Sequence, residues 1–197
     1  MVSESRAAGR PRSFDERVIV EQAVTTFWKH GRTNTTMRIL ESELGLMPAS
    51  IYNAFGSKQD LLERALESYL DQVAAELLVS LDEPESGVDE LIDFVDRLVV
   101  WVTDSNHPGC MMLNLLAEQS PGDDSLAGYA RLHRARMRTA FLPPLTRMDA
   151  AHAPGRAELL VVSALGISAA AQGGASRSEM GSLALAVKDQ IRRWSDG

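Results

Sequence analysis

Cysteine and long apolar runs are the two features that this sequence most clearly lacks. Cys110 is the one cysteine among 197 residues, so neither an intramolecular disulfide nor a multi-cysteine zinc site is possible. No uninterrupted apolar run approaches the roughly 20 residues that span a bilayer, and the start of the chain, MVSESRAAGRPR, lacks the apolar stretch of a secretory signal. These absences favour a reducing compartment, and we expect a cytoplasmic protein that does not enter a membrane.

Motifs of enzyme chemistry are missing as well. The sequence contains no Walker glycine loop, no GxSxG, no HExxH and no His/Glu cluster with metal-ligand spacing. His107 and Cys110 provide only two possible metal ligands. With 45% hydrophobic and 24% charged residues, the composition is that of a globular protein. We expect one that is not an enzyme and needs neither a cofactor nor a metal.

Excess positive charge is confined to the first third of the chain. Residues 1–58 carry eight Lys/Arg and six Asp/Glu, a balance of +2, whereas the other 139 residues carry 12 basic and 21 acidic groups, a balance of −9; the whole chain has a net charge of −7. The first third can therefore approach a polyanion that the remainder repels. A mixed, solvated surface is the alternative interpretation.

Apolar residues recur every three or four positions, a period typical of α-helices, and no strand pattern is present. Ser13 and Glu16 have capping-box spacing at the first helix, and Ser57 and Asp60 have N-cap spacing at the fourth. Glycine, proline and polar clusters break the pattern between helices. The spacing predicts an all-α chain with helices over about 14–30, 36–44, 48–55, 57–81, 88–102, 110–119, 125–147, 155–172 and 177–194.

Residues 50–58, SIYNAFGSK, contain the second of two short predicted helices that flank a glycine turn. In that arrangement the second helix can enter a DNA major groove. Ser50 and Asn53 lie three apart on one face and suit base edges or phosphates, while Tyr52 offers a ring for thymine methyls and a hydroxyl for phosphate. Lys58 begins the next helix, where its ammonium and free N–H groups favour a phosphate. The spacing also fits a helical hairpin that does not bind DNA.

Four motifs in the first third of the chain are typical of a known family of proteins. They are Ala23…Phe27-Trp28…Gly31, Thr35-Thr36-Met37-Arg38, Leu44-Gly45-Leu46 and the run from Ser50 to Lys58. With them, the segment from about Phe14 to Leu62 closely resembles the N-terminal DNA-binding domain of TetR-family transcriptional regulators. The resemblance implies an all-α homodimer with an N-terminal three-helix helix-turn-helix domain and a C-terminal helical ligand-binding and dimerisation domain. It predicts a flexible arm at 1–13, a DNA-binding domain at 14–58 and the second domain at 59–197.

Carried over by position, the resemblance assigns DNA contacts to six residues on and after the two short helices: Thr36, Arg38, Ser50, Tyr52, Asn53 and Lys58. Some positions depart from the family pattern. Met47 and Pro48 replace a small polar cap and an often basic residue, which removes a phosphate contact. Glu41 stands where a small residue usually packs the two helices together, and Ile39 where a polar one is common. The basic arm at 6–12 is either a minor-groove contact or a disordered leader.

The later helices are expected to enclose a pocket for a small-molecule effector whose identity the sequence does not specify. The candidate pocket residues are Trp101, Cys110, Met111, Asn114, Glu118, His133 and Met137. His133 shares an apolar helix face with Met137, although a core histidine bonded to a backbone carbonyl is an equal alternative, and the methionines also suit ordinary core packing. Gly109-Cys110 with Asn114 and Glu118, and residues 172–176, look like one C-terminal branch of the family.

Cys110 follows Gly109 at a predicted helix start, where unpaired N–H groups can lower the pKa of a thiol. Some regulators of this family sense oxidants or electrophiles through a cysteine. An inert, buried thiol is the alternative interpretation.

The last two helices are the candidates for dimerisation. Residues 159–171 are apolar nearly all round and rich in small side chains, and Leu183, Val187 and Ile191 form an apolar stripe on the final helix. A dimer through these helices presents two reading helices about one DNA turn apart. Burial in the core of a monomer is the alternative.

These features together predict a homodimeric regulator that binds double-stranded operator DNA. Its expected role is that of a repressor released by a small molecule, with the long fourth helix coupling the two domains. Two alternatives remain: a repressor that senses electrophiles or redox state through Cys110, and a helical partner-binding protein that has lost specific DNA binding.

Overall fold

The computed structural model describes residues 14–83, 85–103 and 109–195. The predicted arm at 1–13, which includes Ser13 of the expected capping box, and His107 lie outside these ranges. Within them all regular structure is helical, which confirms the predicted fold class. The helices are α1 Glu16–Asn34, α2 Met37–Leu44, α3 Pro48–Phe55, α4 Lys58–Ser68, α5 Ala74–Leu78, α6 Val88–Val102, α7 Met111–Ala117, α8 Ala127–Asp149, α9 Ala153–Gln172 and α10 Arg177–Ser195, with a π-helical turn at Tyr69–Val73 and a 3₁₀ turn at Val79–Leu81.

Side-chain caps set the starts of α1 and α2. The carboxylate of Asp15 accepts the backbone N–H of Arg17 at 2.9 Å, so α1 begins later than predicted, with Asp15 as its cap. Thr36 caps α2 by accepting the N–H of Ile39 at 3.2 Å. Gly45, at φ +63°, ends α2 in the left-handed conformation that glycine adopts without strain.

The predicted bounds of α3 are confirmed. Pro48 occupies its first turn, where the missing N–H costs nothing, and the helix ends at Phe55. The next helix is capped as predicted, since the Ser57 hydroxyl accepts the N–H of Asp60 at 3.0 Å. Short-range sequence signals therefore position the two short helices and the start of α4.

The predicted long fourth helix is not regular throughout. Residues 58–81 remain helical, but the π-helical turn separates α4 from α5, and the 3₁₀ turn ends the segment. A π turn holds more residues than an α turn, so it rotates the later residues of the segment about the helix axis. Leu62 and Leu66, which precede this turn, pack in one hydrophobic core, and Leu81, which follows it, packs in another.

Two hydrophobic cores fill the molecule. The first lies between α1–α4 and α7, and its buried residues include Phe27, Leu40, Ile51, Leu61, Tyr69, Met111 and Leu115. The second lies among α6, α8, α9 and α10, with Leu91, Phe94, Phe141, Val161 and Ile191 among its members. Trp101 of α6 packs against both cores. Although α7 follows α6 in the chain, it thus packs with the N-terminal helices.

The helices are too short or too polar to cross a bilayer, for those parts of the chain that the structure describes.

Candidate DNA-reading surface and interior cavity

The inner faces of α2 and α3 are buried in the first core. Leu40 and Leu44 of α2 and Ile51 and Phe55 of α3 are each at most 5% exposed. Residues four apart lie on the same side of a helix, so each short helix rests on the core along one face. The opposite face of α3 is turned to solvent.

Most of the residues predicted to contact DNA lie on the solvent side of these two helices. Thr36, Arg38, Tyr52 and Asn53 are exposed, and Ser50 is half-buried. The Thr36 hydroxyl oxygen is occupied as the cap of α2, but its O–H can still donate to a phosphate. These five side chains have the exposure that DNA contact requires.

Lys58 is held by contacts within the protein. Its ammonium donates to the backbone carbonyls of Arg32 at 3.0 Å and Thr35 at 2.8 Å. Since an ammonium has three N–H donors, two of them are used inside the protein. Lys58 therefore joins the start of α4 to the α1–α2 connection, and only one donor remains to reach a phosphate.

An interior cavity lies between the segment 74–78, α6, α8 and α9. Its volume is about 30 Å³, enough for about two water molecules. Its walls are formed by Ala74, Leu77, Leu78, Phe94, Leu98, Trp101, Cys110, His133, Met137, Ala164, Leu165 and Ser168. Four of the seven predicted pocket residues, Trp101, Cys110, His133 and Met137, thus meet at one cavity.

The other three predicted pocket residues do not line this cavity. Met111 is fully buried in the first core. Asn114 faces Gly109, with Oδ1 3.4 Å from the place where a Cβ on that glycine would stand. Glu118, at the far end of α7, contacts α1 instead. Their place in an effector site stays a prediction.

Three polar side chains form a buried chain at the cavity wall. The Tyr69 hydroxyl lies 3.3 Å from Cys110 Sγ, and Sγ lies 3.6 Å from His133 Nε2. Tyr69 is fully buried, Cys110 is 2% exposed and His133 8% exposed. The three groups therefore exchange hydrogen bonds with one another where water has little access.

Burial controls the ionisation of this chain. It raises the pKa of the Cys110 thiol, outweighing the Tyr69 hydroxyl and the α7 N–H groups that lower it, so the prediction of a helix-lowered pKa is wrong. Burial also raises the pKa of Tyr69 well above its usual value, and it lowers the pKa of His133 to about 4, helped by Arg136. All three groups are neutral at pH 7, and a protonated, buried thiol is a poor nucleophile.

A surface groove lies next to the cavity, between the segment 70–82 and α8. Its volume is about 390 Å³, and its walls share Ala74, Leu78 and His133 with the cavity. Across this surface Arg136 of α8 donates to Asp71 of the π-helical turn at 2.6 Å. Ala74, Leu78 and His133 thus form part of the wall of both spaces.

The end of α7 is fastened to the end of α1. The Thr33 N–H donates to Glu118 Oε2 at 2.7 Å, next to Gly31, whose φ of +75° and ψ of 175° interrupt the helical backbone. Arg32 forms an ion pair with Asp123 at 2.8 Å in the α7–α8 connection. The sequence predicted the break at Gly31, but no local pattern identifies partners 85 or more positions away.

Aromatic rings make a second connection between the cavity and α1. Trp101, at the cavity wall, has its ring centroid 5.1 Å from that of Trp28 of α1. Trp28 in turn meets Tyr69 edge-to-face at 5.2 Å. These contacts join α6, α1 and the π-helical turn where the two cores meet.

The outer faces of α9 and α10 expose large apolar side chains. Leu159 and Val162 of α9 and Leu183 and Leu185 of α10 are between 40% and 58% exposed. The apolar stripe predicted on α10 is only partly correct, because Ile191 is fully buried in the second core. The exposed apolar surface of α10 therefore lies toward its first half.

Known proteins resemble this chain in both sequence and fold. Residues 19–65 match the family model described as bacterial regulatory proteins, tetR family. The uncharacterized HTH-type transcriptional regulator YezE of Bacillus subtilis (strain 168) is 30% identical over 140 residues, 71% of this chain and 72% of YezE. The HTH-type transcriptional repressor ComR of Escherichia coli (strain K12) is 28% identical over 132 residues, 66% of this chain and 63% of ComR. A cysteine mutant of the TetR-family regulator CifR, solved with 26-bp operator DNA, superposes with a TM-score of 0.79 at 23% identity, over 94% of this chain and 100% of that one.

Proposed function

Because this chain belongs to the TetR family of bacterial transcriptional regulators and is a DNA-binding regulator, we propose that it is a dimeric repressor that a small molecule releases from its operator. The observation that carries the proposal is the position of α7. Its first end, at Cys110, forms part of the cavity wall, and its last end, at Glu118, holds α1. A change of shape at the cavity therefore has a direct mechanical path to the DNA-reading helices.

The reading surface is the solvent side of α2 and α3. Thr36, Arg38 and Lys58 are proposed to bind phosphates, and Tyr52 and Asn53 to meet the major groove together with Ser50. The positive balance of the first third supports this assignment. The helix-turn-helix segment at 14–58 is proposed as the unit that binds operator DNA and is released from it.

The effector is proposed to bind at the interior cavity. Among the described residues that line it, none has a charged side chain at pH 7, since the lowered pKa of about 4 keeps His133 neutral. A charged group would lose its hydration there without a partner, so the part of the effector that enters is uncharged and mainly apolar. The adjoining groove supplies an entry route once Ala74, Leu78 or His133 moves.

Release requires that the effector favour the arrangement in which the reading helices are misplaced. A molecule larger than about two waters must push the cavity walls apart, and Cys110 and Trp101 are among those walls. Movement of Cys110 is carried along α7 to Thr33, and movement of Trp101 reaches Trp28. Coupling is thus assigned to α7 and the aromatic contacts as well as to the segment 58–81.

The proposed dimer forms through the exposed apolar faces of α9 and α10. We expect Val162→Glu to give a monomer in light scattering at micromolar concentration, because a carboxylate would be buried in the interface. Val100→Glu is the matched control, since Val100 is 73% exposed on α6, a helix that carries none of the four exposed apolar side chains of the proposed interface. Wild-type protein that is monomeric in the same measurement would contradict the dimer.

The regulatory role is tested by fluorescence anisotropy on the DNA immediately upstream of the protein's own gene, with an unrelated duplex as competitor at one near-physiological salt concentration. We expect competitor-resistant binding, and reduced transcript from that promoter when the protein is added to purified RNA polymerase. Increased transcript would make the protein an activator. Salt-insensitive or absent DNA binding would favour the partner-binding alternative.

A further inference from the structure

The start of α3 is apolar where it faces solvent. Met47, the residue before the helix, is 66% exposed, and in the described part of the chain no side-chain hydrogen bond caps this end. Pro48 is half-buried and Ala49 exposed. Tyr52 is 49% exposed, and it lies three and four positions after Ala49 and Pro48, so these side chains share one face.

This end of α3 is where a helix-turn-helix meets base edges. In such motifs the N-terminal residues of the second helix enter the major groove. Here those residues offer almost nothing for a hydrogen bond: proline and alanine have no side-chain donor or acceptor, and the methionine sulfur is a weak acceptor. The polar pair Ser50 and Asn53 lies on the neighbouring face.

Thymine is the one base that presents an apolar group in the major groove, its C5 methyl. We propose that the first turn of α3 reads thymine methyl groups, with Met47 as the main contact and Ala49 beside it. Sequence is then recognised at this end of the helix by apolar contact rather than by hydrogen bonds. The long, unbranched methionine side chain can adjust to the groove, and covering a methyl removes it from water.

The proposal rests on α3 being the reading helix and goes beyond it by naming the base and the contact. A methyl group that is removed from water contributes about fourfold to affinity. We therefore expect one or two positions in each half-site where thymine is preferred because of its methyl. Hydrogen-bonding readout would leave affinity unchanged when only the methyl is deleted.

The test begins with selection of preferred duplexes from a random DNA pool by the wild-type protein. In the best duplex each thymine is replaced in turn by deoxyuridine, which deletes the methyl and keeps every hydrogen-bonding group. We expect about a fourfold weaker Kd at one or two positions, and no such penalty at those positions for Met47→Ala. At the same positions, 5-methylcytosine should bind more tightly than cytosine, because it restores the methyl.

Val79→Ala is the matched control, since Val79 is 61% exposed in the 3₁₀ turn outside the helix-turn-helix; it should keep the wild-type deoxyuridine penalty. Thermal unfolding checks that Met47→Ala is folded. The proposal is overturned if no position responds to methyl removal, or if the penalty is unchanged in Met47→Ala. If the pool yields no preferred sequence but the protein still binds bulk DNA with a strong salt dependence, the thymine-reading proposal fails while DNA binding stands. If salt-sensitive DNA binding is absent as well, the proposed function fails too.

Discussion

Glu118 lies directly over Gly31. A Cβ atom at residue 31 would stand 1.9 Å from Glu118 Oε1, while Oε2 of the same carboxylate accepts the Thr33 N–H at 2.7 Å. The glycine thus makes room for the side chain that satisfies the backbone just beyond the break in α1. This contact joins α1 to the end of α7.

Replacing Gly31 should therefore destabilise the protein for two reasons. Alanine at φ +75° is strained, and its Cβ must displace the Glu118 carboxylate. We expect Gly31→Ala to lower the free energy of unfolding by about 1–3 kcal/mol in urea denaturation. Gly45→Ala is a reference for a left-handed backbone without a steric contact, because Gly45 has φ +63° and ψ +26° and no atom within 4 Å of its Cβ position; we expect it to cost about 1 kcal/mol. Gly31, at ψ 175°, lies in a region that essentially only glycine adopts, so its backbone cost is larger.

A double-mutant cycle separates the two causes. In a Glu118→Ala background the carboxylate is gone, so Gly31→Ala should cost less than it does in the wild type. An identical cost in both backgrounds would show that the backbone conformation, and not the contact with Glu118, sets the effect.

Variants of Lys58 and Arg38 should differ in their free energy of unfolding, although both residues are proposed phosphate contacts. Lys58→Met keeps the aliphatic stem but removes two hydrogen bonds to carbonyls, and we expect a loss of about 1–2 kcal/mol in the free energy of unfolding. Arg38→Ala, at an exposed position, should change that free energy by no more than about 0.5 kcal/mol. Both variants should weaken DNA binding and reduce its salt slope by about one. Unchanged DNA binding in both would remove them from the interface.

His133 should make the protein less stable in mild acid. The unfolded chain takes up a proton near pH 6.5, whereas burial lowers the pKa of His133 to about 4 in the folded state. The contribution that neutral His133 makes to the free energy of unfolding is therefore fully present above about pH 6.5, and it is lost as the pH falls toward 4. Between pH 7.5 and pH 5 this loss is about 2 kcal/mol, and His133→Gln should remove that part of it in urea denaturation at the two pH values. An equal loss in the variant would assign the pH dependence to other groups.

Cys110 should react slowly with a thiol reagent in the native protein. It is 2% exposed and burial raises its pKa, so reaction with Ellman's reagent requires opening of the core. We expect native protein to react at least about 100-fold more slowly than protein in concentrated urea. Because it is the only cysteine, Cys110→Ala provides the blank. Rapid reaction of the native protein would favour the thiol-sensing alternative instead.

Helix bounds and side-chain caps, which depend on neighbouring residues in the chain, were the features best predicted from the sequence. The bounds of α3 follow from Pro48 at its start and Gly56 after its end, and the cap at Ser57 follows from a short polar side chain before an apolar repeat. The exposure of Tyr52 and the burial of Phe55 follow from helical period alone.

Contacts between distant parts of the chain were not predictable in the same way. Glu118 was expected among the neighbours of His133 in the pocket, but its carboxylate accepts the Thr33 N–H of α1. Lys58 was expected to face phosphate because it starts a helix, yet two carbonyls of the α1–α2 connection take its donors. The raised pKa of Cys110 reflects burial, which the position of a helix start does not reveal.

The π-helical turn at Tyr69–Val73 also limits how the chain length can vary. An α-helix turns about 100° per residue, so deleting one residue from this turn would restore regular winding but swing Leu77, Leu78 and Leu81 away from the second core against which they pack. A deletion that makes the helix regular would therefore weaken the packing of this segment against the second core. For this reason we expect single-residue insertions and deletions at 69–73 to destabilise the protein, even though the sequence pattern of this segment predicts an uninterrupted helix.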